Sequence, residues 1–419
     1  MEFVLGRRNE VRHGVTFRAV IAFIAVSIVA ALTASKAEAA RHRHAAAKAA
    51  SASSDEESAQ SSSSKENVQY AEACIMEPVT GTVIFEADDH KPWPTASLAK
   101  MMLMYIVAQK LDDGSLKLTD QITTSRKAAQ MGGSQVYLKE GETFSLDDMM
   151  KAVIVHSAND ASTAVAEYIA GSTDAFVQLM NQKAAELGMK DSHYYSVHGL
   201  PPVAGEQPDV ASAYDQALLA RALIKYPQIL KWSAIDTEPF RNGTFVLRNT
   251  NHMVRTYQGC DGLKTGFYDK AGFNVVATAK RGDLRLIAVV LGTTHKLTNF
   301  KMASELMSQG FLNYDMHAIA KKGQPANQTI AISNGAVASF RPVWAGDAAF
   351  FVKRGEADKT IKVDYKLPAT ISAPIKAGQQ VGSADLIENG RPVTTIALVA
   401  PSDVAAQKSS LVGRLLSRF

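Results

Sequence analysis

The run "GFNVVATAKRGDLRLIAVVLGT", Gly272 to Thr293, contains two strand-like stretches, "GFNVVATAKRG" and "LRLIAVVLGT". Both are rich in the β-branched and apolar residues that suit a pleated, buried surface. A third strand pattern, "GTFVLRN", precedes them, and the N-terminal side offers "ACIMEPVTGTVIFEAD" (Ala73 to Asp88), two apolar runs around Pro78-Val79-Thr80-Gly81 that predict a hairpin. Between these ends the pattern turns helical. "SLAKMMLMYIVAQKLDDG" is apolar over more than three turns and ends near Gly114, which predicts a buried helix. "SLDDMMKAVIVHSANDASTAVAEYIAG" and "DAFVQLMNQKAAELGM" continue it. Strands at both ends with helices between predict an α+β domain over residues 69–322, an antiparallel sheet packed against a helical cluster.

After "KKGQPAN" the character changes. "TIKVDYKL" alternates strictly, with Ile361, Val363, Tyr365 and Leu367 on one face, and short strands such as "AAFFVKRG" and "VTTIALVA" are separated by Gly and Pro. A small all-β domain is expected over 323–401. The segment 402–419 places Leu411, Val412, Leu415, Leu416 and Phe419 on one helical face, with Arg414 and Arg418 opposite. It is too short to span a bilayer, and is expected to lie in the membrane interface with its cations toward anionic headgroups.

The 419 residues are 46% hydrophobic and 21% charged, with a formal net charge of +4. Eight basic residues against three acids lie in the first 48 positions, so the rest of the chain is close to −1. The basic balance belongs to a leader, and the chain shows no electrostatic footprint for nucleic acid. Arg7, Arg8, Arg12 and Arg18 lead into the apolar run Ala19 to Ala34 and the small-x-small site Ala37-Glu38-Ala39. Residues 1–39 therefore read as a secretory signal peptide. The Ala/Ser-rich stretch 40–68, which includes His42 and His44, reads as a solvated, disordered linker. Only Cys74 and Cys260 are present. An exported compartment allows them to pair, and two buried free thiols fit the sequence equally well.

In "PTASLAKMM" Ser97 and Lys100 stand three residues apart at the start of the buried helix, so they share a face. A lysine kept neutral by burial or by a nearby cation can take the proton of a serine hydroxyl and activate it. "HSAND" adds Ser157-Ala158-Asn159, and "DGLKTGF" adds Lys264-Thr265-Gly266 before a strand. S-x-x-K, S-x-N and K-T-G in this order form the signature of penicillin-binding proteins and class A β-lactamases. "GGSQVYLKEGE", "HGL" (His198 to Leu200), "RNTNHMV", "DGLKTGFYDKAGFNVVATAKR" and "APIKAGQQVG" extend the similarity from about Val68 to the C-terminus. The chain resembles the low-molecular-mass penicillin-binding proteins that act as serine-type D-alanyl-D-alanine carboxypeptidases.

The resemblance implies a penicillin-binding protein/β-lactamase-like transpeptidase domain followed by the β domain. It also implies peptidoglycan stem peptides as substrate, β-lactams as covalent inhibitors, attachment to the periplasmic side of the cytoplasmic membrane, and no metal or organic cofactor. Ser97 is implied as nucleophile and Lys100 as general base, with Ser157 relaying a proton to the leaving amine. Asn159 is implied to hold both the substrate amide and Lys100. Lys264 keeps Lys100 neutral and attracts the substrate carboxylate, Thr265 binds that carboxylate, and Gly266 leaves the strand edge open. The backbone N–H groups of Ser97 and Phe267 form the oxyanion hole, worth roughly 3 kcal/mol per donor.

Phe267 stands where relatives often carry His or Tyr, and Thr250 where some carry arginine, with Arg248 or Arg255 as substitutes. For Asp160, His156, Lys139 and Asp261 a structural role is expected. A β-lactamase would need a carboxylate for deacylation. Glu238-Pro239-Phe240-Arg241-Asn242 mimics that motif but lies only 26 residues before Lys264. The same three motifs would also serve an endopeptidase acting on cross-links. A non-catalytic wall-binding protein that keeps the fold would be signalled by loss of Ser97, Lys100 or Lys264, and all three are present.

Overall fold

Successive side chains on a strand leave opposite faces, so a strand reads as an unbroken apolar run only when both faces are covered. That is the situation around Gly282. Val276, Ile287, Val289 and Leu291 enter a core built largely by helices, while Val275, Ala277, Leu286, Ala288 and Val290 enter a second core with Ala303, Met307 and Phe311 of a later helix. The computed structural model describes residues 69–356, 361–388 and 390–407. The expected signal peptide and linker lie outside the described residues, as do residues 408–419 of the expected C-terminal helix; its expected first residues, 402–407, are not helical, because Val404 and Ala406 bridge to Ile375 and Gly335 of the β domain. Among the described residues no helix is long and apolar enough to cross a membrane.

The elements that place the site are, in chain order, β1 (Glu72–Met76), β2 (Val83–Ala87), α1 (Lys100–Asp112), α2 (Leu146–Val155), α3 (Asn159–Ala170), α4 (Thr173–Leu187), α5 (Ala213–Leu223), β3 (Cys260–Tyr268), β4 (Gly272–Arg281), β5 (Leu284–Thr293) and α6 (Thr298–Asn313). The five strands form one antiparallel sheet in the order β2-β1-β5-β4-β3. The N-terminal hairpin thus docks on strands from the far end of the domain, with Cys74 opposite Val289.

Helix α1 is buried from Lys100 to Ala108 without a break, as expected of a helix apolar on every side. Three of the helices around it begin at side-chain caps. Ser145 accepts from Asp148 N at the start of α2, Ser172 from Ala175 N at α4, and Ser212 from Asp215 N at α5. The other face of the sheet is covered by α6, which comes close because Gly310 has no side chain. A Cβ there would lie 2.6 Å from Leu286 Cδ1.

Beyond α6 the described chain is all β. Ile361, Val363, Tyr365 and Leu367 pack on a core of Trp344, Phe350, Leu386 and Leu398, on the face the strict alternation predicts. A four-stranded sheet has the order Val343–Trp344, Arg391–Val399, Gln380–Glu388, Ile361–Lys366.

The structure settles the cysteines. Both are free thiols. Cys74 on β1 and Cys260 on β3 have β5 and β4 between them. Three strand spacings make roughly 14 Å, about twice the Cα separation a disulfide tolerates.

Candidate active site

Ser97 sits on a tight 3-10 turn, Ala96–Ala99, that runs directly into α1. The turn enters through Ala96 at a φ of +47°, a conformation an L-residue holds only where its surroundings enforce it. Those surroundings are specific. Thr95 N donates to Asp209 O at 2.9 Å. The Asn274 side-chain amide donates to Pro94 O at 3.0 Å and Thr95 O at 3.3 Å, while its Oδ1 accepts from Gly292 N at 2.8 Å. Asn274 lies on β4 directly opposite Gly266 of β3.

Two glycines let neighbouring backbone close on this turn. A Cβ on Gly266 would lie 2.5 Å from Thr95 O and 3.1 Å from Ser97 N. A Cβ on Gly199 would lie 1.9 Å from Ala96 O, and Gly199 also has a φ of +75°. Gly266 therefore brings the strand backbone against the serine, a packing role beside the open strand edge that the resemblance implied.

Lys100 is fully buried, and its Nζ donates to Ser97 Oγ at 2.9 Å and to the His198 carbonyl oxygen at 2.6 Å. Burial, reinforced by the cation of Lys264, drives the Lys100 amine well below its ordinary pKa. Burial alone pushes Lys264 down to about 7. His198, pushed down to about 3 chiefly by burial and then by Lys100, is a neutral ring at physiological pH. Its Nδ1 accepts from Leu200 N at 3.1 Å, which fixes the loop whose carbonyl faces Lys100.

The second and third motifs meet each other. Lys264 Nζ donates to Ser157 Oγ at 2.8 Å and to Thr265 O at 2.9 Å. Ser157 has a φ of +63° just before α3, a strained position of the kind found where a side chain is aimed rather than merely accommodated. Thr265 Oγ1 donates to Thr250 Oγ1 at 2.7 Å, so the residue in place of an arginine is tied to the K-T-G strand. Arg255 is paired with Asp236 at 2.8 Å, and Arg248 is exposed. Phe267 is 51% exposed and stacks on Phe273, ring centroids 4.2 Å apart.

One expected contact is absent. Asn159 Nδ2 donates to Gly132 O at 2.7 Å, and its buried Oδ1 has no hydrogen-bond partner in the structure, so it does not hold Lys100. The amide is oriented from the other side: a Cβ on Gly133 would lie 2.8 Å from Asn159 Nδ2. A buried carbonyl without a partner is costly unless something donates to it, and a bound peptide N–H would do so.

The polar residues beside the motifs are structural. The Asp160 carboxylate accepts from Val136 N at 3.1 Å and Leu138 N at 3.0 Å, holding the loop over α3. Asp261 pairs with Arg285 at 2.7 Å. His156 is edge-on to Phe245. Glu238 is engaged by Lys151 at 2.7 Å, and Arg241 by Glu142, so the motif that mimics a β-lactamase loop is occupied by ion pairs.

Sequence reasoning missed Asn274 and Asp209. The Asp209 carboxylate is buried and accepts from Ser196 Oγ at 2.6 Å, Tyr195 N at 2.6 Å and Ser196 N at 2.8 Å, which anchors the loop leading into His198. The signal for Asn274 was an amide inside an otherwise apolar strand run.

Ser97 and Lys100, with Lys264 lowering the pKa of the Lys100 amine and Ser157 hydrogen-bonded to Lys264, form an assembly suited to acyl transfer through a serine ester. The model of a family described as D-alanyl-D-alanine carboxypeptidase matches residues 58–295. A second, described as penicillin-binding protein 5, C-terminal domain, matches residues 314–406. The chain is 34% identical to the D-alanyl-D-alanine carboxypeptidase DacF of Bacillus subtilis, over 80% of this chain and 84% of that one. A D-alanyl-D-alanine endopeptidase of Pseudomonas aeruginosa is 30% identical, over 58% of this chain and 77% of that one. Among solved structures, the peptidoglycan synthesis regulatory factor PBP3 of Streptococcus pneumoniae superposes with a TM-score of 0.71 at 27% identity, over 81% of this chain and 100% of that one.

Proposed function

This chain belongs to the D-alanyl-D-alanine carboxypeptidase family, and from that premise we propose that it removes the terminal D-alanine of peptidoglycan stem pentapeptides through an ester on Ser97. The observation that carries the reading is the fully buried Lys100 amine 2.9 Å from Ser97 Oγ. A neutral amine at that distance takes the hydroxyl proton as Oγ attacks the carbonyl between the two terminal D-alanines. The oxyanion is met by the N–H groups of Ser97 and Phe267, preorganised by the Gly266 contact.

When the C–N bond breaks, the leaving amine needs a proton. Ser157, hydrogen-bonded to Lys264, relays to that amine the proton that Lys100 took from Ser97, which leaves Lys100 neutral, and D-alanine departs. Water then adds to the ester with Lys100 again as base, Ser97 is regenerated, and the peptide leaves one residue shorter. The Lys264 cation and the Thr265 hydroxyl hold the substrate carboxylate, and Asn159 Oδ1 accepts from the substrate amide. β-Lactams offer the same carbonyl in a ring whose amine remains tethered after opening, so Ser97 stays acylated.

Export and attachment follow from the terminal segments. The basic and apolar leader of residues 1–39 directs the chain out of the cytoplasm, and the 402–419 face of Leu411, Leu415 and Phe419 settles on the periplasmic surface of the cytoplasmic membrane.

The test is D-alanine release from a pentapeptide ending in D-Ala-D-Ala, with the Ser97→Ala variant alongside. Release that vanishes in the variant supports the assignment. Release that persists removes Ser97 from the chemistry.

A further inference from the structure

The loop ahead of α3 presents one side chain that does not serve the core. Tyr137 has a φ of +58°, a left-handed conformation that Gly or Asn holds with less strain, and it is 66% exposed. Its neighbours Val136 and Leu138 are buried. We propose that Tyr137 is a specificity-determining residue: with Phe245 and His156 it forms an aromatic shelf for the side chain of the residue that leaves, and it extends release from D-alanine to D-amino acids with large apolar side chains. The shelf rests on the carboxypeptidase reading above and deepens it by setting which residue is accepted beyond the scissile bond.

The strained residue is held from several sides. The Asp160 carboxylate accepts from Val136 N at 3.1 Å and Leu138 N at 3.0 Å, and the Arg241 guanidinium donates to the Tyr137 carbonyl oxygen at 2.8 Å. Arg241 is itself paired with Glu142. Earlier in the loop Asn159 N donates to Ser134 O at 2.7 Å, and Asn159 Nδ2 donates to Gly132 O. The loop is thus tied along its length to the S-x-N end of α3, while the Tyr137 ring stays outside. A conformation so over-determined, around a ring that covers no core, is that of a side chain presented for contact.

A row of rings leads from Tyr137 to the chemistry. Tyr137 meets Phe245 edge-on with centroids 6.3 Å apart, and Phe245 meets His156 at 5.3 Å, directly before Ser157 in the chain. Ser157 protonates the leaving amine in the mechanism above. Thr265, joined to Thr250 at 2.7 Å, holds the carboxylate of the same residue. Thr250 N in turn donates to Val155 O at 3.1 Å, so both anchor points stand on one wall with His156. With its amine and carboxylate fixed there, the leaving residue has its side chain left to face the shelf. Burial lowers the pKa of His156, so the three rings carry no charge at neutral pH. A methyl group reaches little of such a surface, and a leucyl or phenylalanyl side chain covers it.

The experiment measures kcat/KM for release of X from diacetyl-L-lysyl-D-alanyl-X, with X as D-alanine, D-leucine or D-phenylalanine. The wild type is set beside Tyr137→Asn, which removes the ring and suits the positive φ, and Tyr137→Phe, which keeps the ring. Thermal unfolding is the control for folding. The wild type is expected to release all three. Tyr137→Asn is expected to lower the D-phenylalanine-to-D-alanine and D-leucine-to-D-alanine ratios by roughly three- to tenfold, the size of one aromatic contact, with rescue by Tyr137→Phe. A wild type that releases D-alanine but neither larger residue overturns the shelf and leaves the carboxypeptidase reading intact. So do ratios that Tyr137→Asn leaves unchanged, equal losses on all three substrates, and a Tyr137→Asn protein that no longer unfolds cooperatively, which would make the ring structural. A wild type that releases none of the three overturns both.

Discussion

Replacing Gly266 by alanine tests how the strand and the nucleophile turn are held together. Gly266 has ordinary backbone geometry for an L-residue, so the added methyl group meets only packing. Its Cβ would stand 2.5 Å from Thr95 O, and ordinary contact begins near 3.4 Å, so strand and turn must part by about 0.9 Å. Misplacing a reacting group by about 1 Å costs on the order of 10²-fold in rate. Because the same methyl group presses on Ser97 N, the displaced group includes an oxyanion donor. Overpacking of this size adds roughly 1–3 kcal/mol of destabilisation. The assay is acylation by a fluorescent penicillin and by the far smaller 6-aminopenicillanic acid, with thermal unfolding alongside. Both reagents should slow by a similar factor near 10². Acylation within threefold of wild type would refute the packing argument. A loss confined to the bulkier reagent would mean that the glycine serves only to keep the strand edge open.

The remaining predictions concern charge and anchoring. Lys264→Met removes the cation that helps to depress the Lys100 amine, so Lys100 regains affinity for its proton and the acid limb of the acylation–pH profile moves upward. A limb that stays in place would exclude this coupling. Buried Glu72 is raised by desolvation to about 8 and accepts from Ala213 N, so between about pH 4.5 and 8 the folded state holds a proton that the unfolded state has lost. Its contribution is full below that window and is lost as pH rises through it. Glu72→Gln should therefore add more stability at pH 8.5 than at pH 5, by roughly 3–4 kcal/mol in urea unfolding, and an equal change at both pH values would contradict the assignment. Asp209→Ala leaves Tyr195 N, Ser196 N and Ser196 Oγ without their acceptor, which should cost about 2–3 kcal/mol in urea unfolding and slow acylation through the His198 loop. Unfolding at the wild-type midpoint would show that the anchor is dispensable.

What could be read beforehand depended on the range of the interaction. Ser97 and Lys100 are neighbours on one helical turn, and the alternation of Ile361, Val363 and Tyr365 is a local fact about one strand. That Lys264 and Ser157 belong to one site came through motif order, since nothing in the two segments separately brings them together, and the hydrogen bond between them was not anticipated. The groups that hold the site at close quarters left little trace. His198 acts on Lys100 through its backbone carbonyl, which any residue type possesses. Asn274 reaches across to a segment distant in sequence and Asp209 to a loop some way before it, and apart from Ser196 Oγ their partners are again backbone atoms. The contact expected between Asn159 and Lys100 does not form: Lys100 Nζ donates to Ser97 Oγ and to the His198 carbonyl, a backbone atom with no signature of its own, and Asn159 Oδ1 is left without a partner. The cysteines were undecidable from their number and became decidable from strand order.

The pairing of β1 with β5 sets Glu72 opposite Leu291, near the two ends of the domain. Contacts so far apart along a chain form late, because a long loop must close before they are rewarded. A polypeptide that emerges N-terminus first presents Ser97 and Lys100 long before β3, β4 and β5 arrive to flank them. The serine therefore gains the Phe267 N–H proposed as its second oxyanion donor, its strand and its Asn274 clamp only when the domain has nearly finished appearing. Until then the early hairpin keeps open edges that invite pairing with other chains. Completion of the sheet is thus the event that both removes this hazard and confers reactivity, so an unfinished chain carries its nucleophile in an inert form.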